Sequence, residues 1–349
     1  MAHLIEETDR VFSTVGTEWH GLAEMVEIID RETISTEILW PLLTGQHIVC
    51  EIDGANVDLP DNQVIIADWR NRTDLPEGMR RLEALHVPKN RYFAVDNGTI
   101  FDAMQEAATA CNGVIATAGT LRGGKEFFVS IGLTEGDTID ICGDTHLRYA
   151  NIVTSHDGTK EIFPHLSMVR IVCANTVRAS LESAEQLITI RHTQAAEGQI
   201  VNMPRMFENM IKASEIYKGR MEALAEVKAS EGFQRELIAG YLALENNVKP
   251  GQPLATRSMN AVNEIARLAS DGRGNAAHRT TLYGLANGAT EYWSEGDGTG
   301  RGGASFKKAY SSNMGTGMEH KEKFIESLAD TKLRHAIHKA GKAVLALAQ

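Results

Sequence analysis

The chain predicts an α+β fold: an antiparallel β-sheet core with flanking helices in the N-terminal half, and a helical C-terminal half. Two observations carry this. Up to about residue 195, short apolar stretches alternate with turn residues, and beyond Val201 the apolar period becomes helical and stays so. The 349 residues are 43% hydrophobic and 23% charged, ordinary globular values, so the chain buries one large core or two smaller ones. We place the boundary at 1–195 for the α+β core and 196–349 for the helical region.

In residues 1–100, Gln46–Ile52, Val64–Trp69 and Arg91–Val95 read as short strands, with NVDLPDN, RTDLPEG and HVPKN as connectors. Asp96-Asn97-Gly98 reads as a turn. Thr99 then caps a helix to Cys111 with Ile100, Met104, Ala107, Ala108 and Cys111 on its apolar face. Val114–Ala118 and Glu126–Leu133 flank LRGG as a hairpin. Thr138–Cys142 and Leu147–Thr154 follow as strands, closed by the turn His156-Asp157-Gly158. Phe163–Val172 predicts a strand, with Asn175-Thr176 capping a helix through Leu181 and beyond. Helices are expected over 203–230, 233–246, 256–270, 279–293 and 319–346, the last one basic, with a glycine-rich loop at 294–304.

Four cysteines lie far apart with no CxxC pair, and MAHLIEETDR has neither a basic nor an apolar signal region. No stretch has the roughly 18 apolar residues of a membrane span. The expectation is a cytoplasmic protein without a membrane partner, its cysteines reduced and buried. Net charge is −11, unevenly spread. Residues 1–100 carry 8 basic and 18 acidic side chains, residues 300–349 carry 9 and 4. Such a chain either presents a solvated acidic surface, or uses its basic end on phosphates or on the acidic part of another copy.

Gly119 to Lys125 fits GxxxxGK, but Glu126 stands where a magnesium-binding hydroxyl belongs, and the context is strand–turn–strand. It reads as a hairpin tip whose Arg122 and Lys125 offer plain cations to a polyanion. His146, His156, Asp157, His165 and His192 lack the convergent spacing of a zinc site, so no metal is assigned. Ser155 beside His156 and the apolar Cys173 give no nucleophile, so no catalytic residue and no cofactor are assigned. Trp19-His20-Gly21 reads as a core anchor. Arg170, Asn175 and Arg178 around a helix start, with Arg191 and His192, outline an anion site.

The stretches EWHGL (18–22), AGTLRGGKEFFV (118–129), SHDG (155–158), VRIVCANT (169–176), IRHT (190–193) and TLYGLANGATEY (281–292) together resemble the domain-of-unknown-function 932 family, the phage/plasmid-like proteins. Glu18 stands where that family often shows proline. The resemblance implies a mobile-element origin and brings no established reaction. The element order is also similar to the α-β-β-β-α core of the RecT, Redβ and Erf annealing proteins, without a shared motif. That similarity implies a single-stranded DNA-binding or annealing protein, acting as a homo-oligomer in recombination or replication in the bacterial host. Arg122, Lys125, Arg170, Asn175, Arg178, Arg191 and His192 then line the strand path. The alternatives are a metal-assisted hydrolase using His156, Asp157 and His192, and a non-catalytic interaction or counter-defence factor.

Overall fold

A computed structural model describes residues 6–14, 23–133, 138–170, 175–178, 189–295 and 316–347. Trp19-His20-Gly21, Cys173 and most of the glycine-rich loop lie outside these residues. The elements in chain order are β1 (Val11–Ser13), β2 (Glu24–Met25), α1 (Arg31–Ile34), β3 (Leu42–Ile52), β4 (Ala55–Asp68), β5 (Leu82–His86), α2 (Asn97–Ala110), β6 (Gly113–Leu121), β7 (Glu126–Leu133), β8 (Ile139–Ile141), β9 (Asp144–Ser155), β10 (Phe163–Arg170) and β11 (Asn175–Arg178). The helices α3 (Ala196–Ile200), α4 (Met203–Glu226), α5 (Glu231–Glu245), α6 (Thr256–Asp271), α7 (Leu282–Glu295), α8 (Thr316–Ala329) and α9 (Thr331–Leu345) follow. The overall class is the expected α+β, strands first and helices after.

The chain forms two compact units. One gathers Met1–Asp137, Tyr149–Leu166 and Leu181–Ile211, the other Thr138–Arg148, Ser167–Ser180 and Lys212–Gln349. The larger sheet has the order β11-β10-β9-β7-β6-β1-β2, with β8 on β9, and β3-β4-β5 form a second sheet.

In the first unit β7 (EFFVSIGL) is central. Phe127 and Phe128 point to opposite faces yet both are fully buried, so both faces of the sheet are covered here. Each such ring contributes about 1.5–3 kcal/mol of burial. Helix α2 covers part of β6 and β7 through Ile100, Phe101, Met104 and Ala107. Its N-cap is Asp96, whose carboxylate accepts from Gly98 N at 2.7 Å. The helix therefore starts before Thr99, because an aspartate in extended backbone satisfies the free amides first. The turn reading of 96–98 is corrected accordingly.

Two further expectations change. NVDLPDN is no connector but part of β4, which pairs with β3 from Leu42↔Ala67 to Ile52↔Ala55. The ladder is irregular between His47 and Val49, and Pro60 falls opposite that break, where a missing N–H costs least. Arg91–Val95 forms no strand, and β5 takes its place in the sheet. The cysteines are not uniformly buried either, since Cys50 is exposed on β3.

In the second unit β10 and β11 pair antiparallel, with Arg170↔Asn175 and Val169↔Thr176 in register. Asn175 therefore begins a strand and caps no helix. Val169, Thr176 and Val177 are β-branched and suit a ladder, and the local cap signal loses to that pairing. Among the helices, α5 and α9 cross at glycines. A β-carbon on Gly240 would run into the carbonyl of Ile337, and one on Gly341 into that of Glu236. The expected helix 319–346 is divided at Asp330, whose side chain caps α9 through Lys332 N and Leu333 N. Tyr283 on α7 donates to Asp144 Oδ2 at 2.8 Å and Ile141 O at 3.2 Å, fastening α7 to the β8–β9 hairpin. No helix among the described residues is long and apolar enough to cross a membrane.

Candidate functional site

In the first unit, the tip of the β6–β7 hairpin meets the turn after β9. Arg122, Gly123 and Gly124 all have positive φ (58°, 67° and 79°), a sequence of left-handed residues that two glycines make inexpensive. This curl aims the Gly123 and Gly124 amides at one carboxylate. Asp9 accepts from both at 3.0 and 2.8 Å, and from Glu6 N at 2.9 Å. Burial raises the Asp9 pKa, and these three amide bonds only partly offset that rise. The anion on this loop is thus supplied by the chain itself.

Around the same tip runs a chain of ion pairs. Arg122 binds Glu126 at 2.7 Å and Asp157 at 2.8 Å, and Lys160 binds the other oxygen of Glu126 at 2.8 Å. Glu126 is 3% exposed, so it is a buried carboxylate held between two cations. Burial works against the charge on Asp157, but two hydrogen bonds from Thr159 and the Arg122 guanidinium outweigh it and lower its pKa. Gly158 has φ +72°, as the expected turn requires.

His156 is fully buried beneath this turn. Its Nε2 lies 2.7 Å from Asn97 Oδ1, while Asn97 Nδ2 donates to Ile38 O at 2.8 Å. With the amide so oriented, Asn97 accepts and Nε2 carries the proton. Burial, and the nearby His192, push the His156 pKa down to about 3. Trp40 packs edge-on against His156 at 6.0 Å and against Trp69 at 6.1 Å. Arg72, 1% exposed, lies over Trp69 and pairs with Asp74 at 2.6 Å. Ser155 Oγ accepts from Lys160 N at 2.8 Å. Ser155 and His156 thus have separate partners and form no nucleophile–base pair. Among the described residues no three His, Cys, Asp or Glu side chains converge on a metal position.

Three rings line the edge of this cluster. Tyr92 stacks on His192 at 4.7 Å with 23° between planes, and His86 meets Tyr92 edge-on at 5.9 Å. All three are half-buried. Tyr92 Oη donates to Ser155 O at 3.0 Å, and burial together with Asp157 raises its pKa. His192 Nε2 lies 3.1 Å from Lys160 O, its own carbonyl accepts from Phe93 N, and burial lowers its pKa. Lys89, Arg91 and Arg191 flank the rings and are exposed. Segments 86–93 and 189–193 contain these three cations and no acidic residue.

Of the residues expected to form an anion site, Arg122, Lys125, Arg191 and His192 gather in this unit around the 154–161 turn. Arg122 is bound to carboxylates, Lys125 is half-buried, and Arg191 is 83% exposed with Glu161 at 3.3 Å. Arg170, Asn175 and Arg178 belong to the second unit, and their side chains lie outside the described ones. Sequence reasoning missed Asp9, Tyr92 and Asn97. Only Tyr92 carries a local signal, an aromatic residue beside Arg91 and near Lys89; Asp9 and Asn97 reach their partners over 114 and 59 residues.

A family model described as domain of unknown function (DUF932) matches residues 84–314. That is more than half of the chain, and the chain belongs to this family. The match begins in β5 and takes in the rings, the hairpin tip and the ion-paired turn. No curated protein matches the chain, and no solved structure does.

Proposed function

We propose that this protein binds single-stranded nucleic acid, as an accessory to recombination or replication of a mobile element. The observation that carries the reading is the ring trio His86, Tyr92 and His192, with Tyr92 against both histidines and all three half-buried, next in sequence to the exposed cations Lys89, Arg91 and Arg191. Bases stack on such rings for about 1–3 kcal/mol each, whatever their identity, and the flanking cations take the phosphates. Lys125 extends the positive side. Arg122, paired with Glu126 and Asp157, shapes the tip in this reading and does not hold phosphate.

Fluorescence anisotropy with a labelled oligothymidylate tests it. Binding is expected at low salt, with log K falling by about 0.7 per phosphate contact for each tenfold rise in salt. Arg91→Ala and Arg191→Ala each make that slope shallower by about one contact's worth. Tyr92→Leu weakens binding and leaves the slope unchanged. No binding at low ionic strength overturns the reading.

A further inference from the structure

The chain segregates its charge. The distal half of the β3–β4 hairpin is a two-stranded ribbon, because β5 pairs with β4 only from Ile65 to Asp68. Its residues 46–61 hold Glu51, Asp53, Asp58 and Asp61 and no Lys or Arg, in keeping with the net charge of −11. Residues 331–349 are the reverse, with Lys332, Arg334, Lys339 and Lys342 and no acidic residue. A basic segment in an acidic protein is either neutralised by the chain's own carboxylates or left for an outside anion.

Helix α9 has two sides with different uses. Ile337, Gly341 and Val344 are buried, and Gly341 crosses Gly240 of α5 where neither has room for a β-carbon. On the same side His338 Nε2 lies 2.7 Å from Glu236 Oε2, and Phe233 meets its ring edge-on at 4.7 Å. Arg334 donates to Leu328 O at 2.7 Å and ties α9 to the end of α8. The outer side carries Lys332, Ala336, Lys339, Ala343 and Ala346 at i, i+4, i+7, i+11 and i+14, with His335 and Lys342 alongside, all exposed. Asp330, the N-cap, lies next to Lys332 and offsets part of its charge. Lys339 and Lys342 make no ion pair among the described residues. Arg10, Arg72, Arg122, Lys160 and Arg267, by contrast, each hold a carboxylate. The inner side is committed to the fold and the outer cations are not.

The make-up of this face selects its occupant. Lysine is depleted at protein interfaces, whereas it binds phosphate well as a point charge. The large exposed apolar residues here, Leu333 and Leu347, are 48% and 49% exposed and about 20 Å apart along the axis. They form neither the apolar centre of a protein interface nor the continuous apolar face that lies in a membrane surface. α9 contains no Phe, Tyr or Trp, so it offers no ring on which an unpaired base could stack. Ala336, Ala343 and Ala346 keep the surface low between the lysines, so a stiff backbone can approach it. From Lys332 to Lys342 the strip is about 15 Å long, and a duplex presents one phosphate charge per roughly 1.7 Å of axis, twice the density of one strand. We infer that the outer face of α9 binds the phosphate backbone of double-stranded nucleic acid without regard to sequence. Lys339 and Lys342 are the main contacts and Lys332 extends them. This surface is separate from the ring trio, and it extends the nucleic-acid reading without requiring the rings.

Fluorescence anisotropy of a labelled blunt-ended DNA duplex, titrated with the full chain across a salt series, tests this. The wild type is expected to bind at low salt, with log K falling by about 0.9 per lysine contact for each tenfold rise in salt. Lys339→Gln/Lys342→Gln makes that slope shallower by about 1.8 and weakens low-salt binding by about tenfold or more. Its urea midpoint stays at the wild-type value, because both side chains are exposed, and this separates a lost contact from a lost fold. Lys339→Arg/Lys342→Arg retains binding. Tyr92→Leu leaves duplex binding unchanged while it weakens binding of the oligothymidylate. No duplex binding at low salt, a glutamine variant with the wild-type slope, or tighter binding to phosphatidylserine vesicles than to the duplex overturns the inference. Duplex binding kept while oligothymidylate binding is absent overturns the ring reading alone, and the reverse overturns this inference alone.

Discussion

At the tip of the β6–β7 hairpin, Gly123 and Gly124 turn their amides into the carboxylate of Asp9, and Arg122 reaches Glu126 and Asp157. At the tip of the β3–β4 hairpin, Asp53 and Gly54 turn into solvent, and every residue from Val49 to Asp58 is exposed. Both are strand–turn–strand segments built on positive φ. The first is locked by residues remote in sequence and contributes to a core. The second has an apolar face left exposed among the described residues. Turn chemistry makes hairpins, and what lies opposite the tip decides whether a hairpin supports the fold or presents a surface.

Breaking the buried tip is expected to have the largest effect. Glu126→Ala leaves Arg122 and Lys160 without their shared carboxylate, and destabilisation of about 3 kcal/mol follows, read from urea unfolding. Asp9→Ala strands the Gly123 and Gly124 amides in the core and costs about 2 kcal/mol in the same measurement.

A pH series sharpens the contrast. His156 has a folded pKa of about 3 against an ordinary 6.5, so between those values the unfolded chain binds a proton that the folded one refuses. Stability is complete above pH 6.5 and falls as the solution is acidified, by up to about 1.4 kcal/mol per pH unit. His192, also lowered by burial, adds in the same direction. Urea midpoints at pH 7 and pH 5 test this, and a His156→Gln variant should show a shallower decline. The exposed ribbon is expected to respond least. Val57→Asp shifts the urea midpoint by less than about 0.5 kcal/mol in equivalent stability, since Val57 is 42% exposed and lies outside the buried core.

The hairpin at LRGG and the turn at His156-Asp157-Gly158 were legible in the sequence, because glycines at positive φ mark such turns locally. So were the strands on either side and the helical second half. The outgoing strand of the ribbon, Gln46–Ile52, was legible, and its return strand was not. Asp58, Pro60, Asp61 and Asn62 are turn formers, and only the pairing with β3 makes strand of them. Asn175 failed for the same reason, a local cap signal overridden by a ladder with β10. At the site, Arg191 and His192 were visible as a polar pair in an apolar segment. Their partner Tyr92 is about a hundred residues away in the chain, and no spacing announces it. Asp9 behaves likewise, since a carboxylate destined for buried amides looks the same in sequence as a surface one.

The contrast between a ring-lined cationic edge and an acidic ribbon is tested most directly by hydrogen–deuterium exchange of the full chain, with and without a saturating oligothymidylate. Nucleic acid is predicted to slow exchange in the 86–93 and 189–193 segments and to leave the 49–58 amides as they are in the free protein. Protection of the ribbon with none at the rings, or no protection anywhere, would contradict the account.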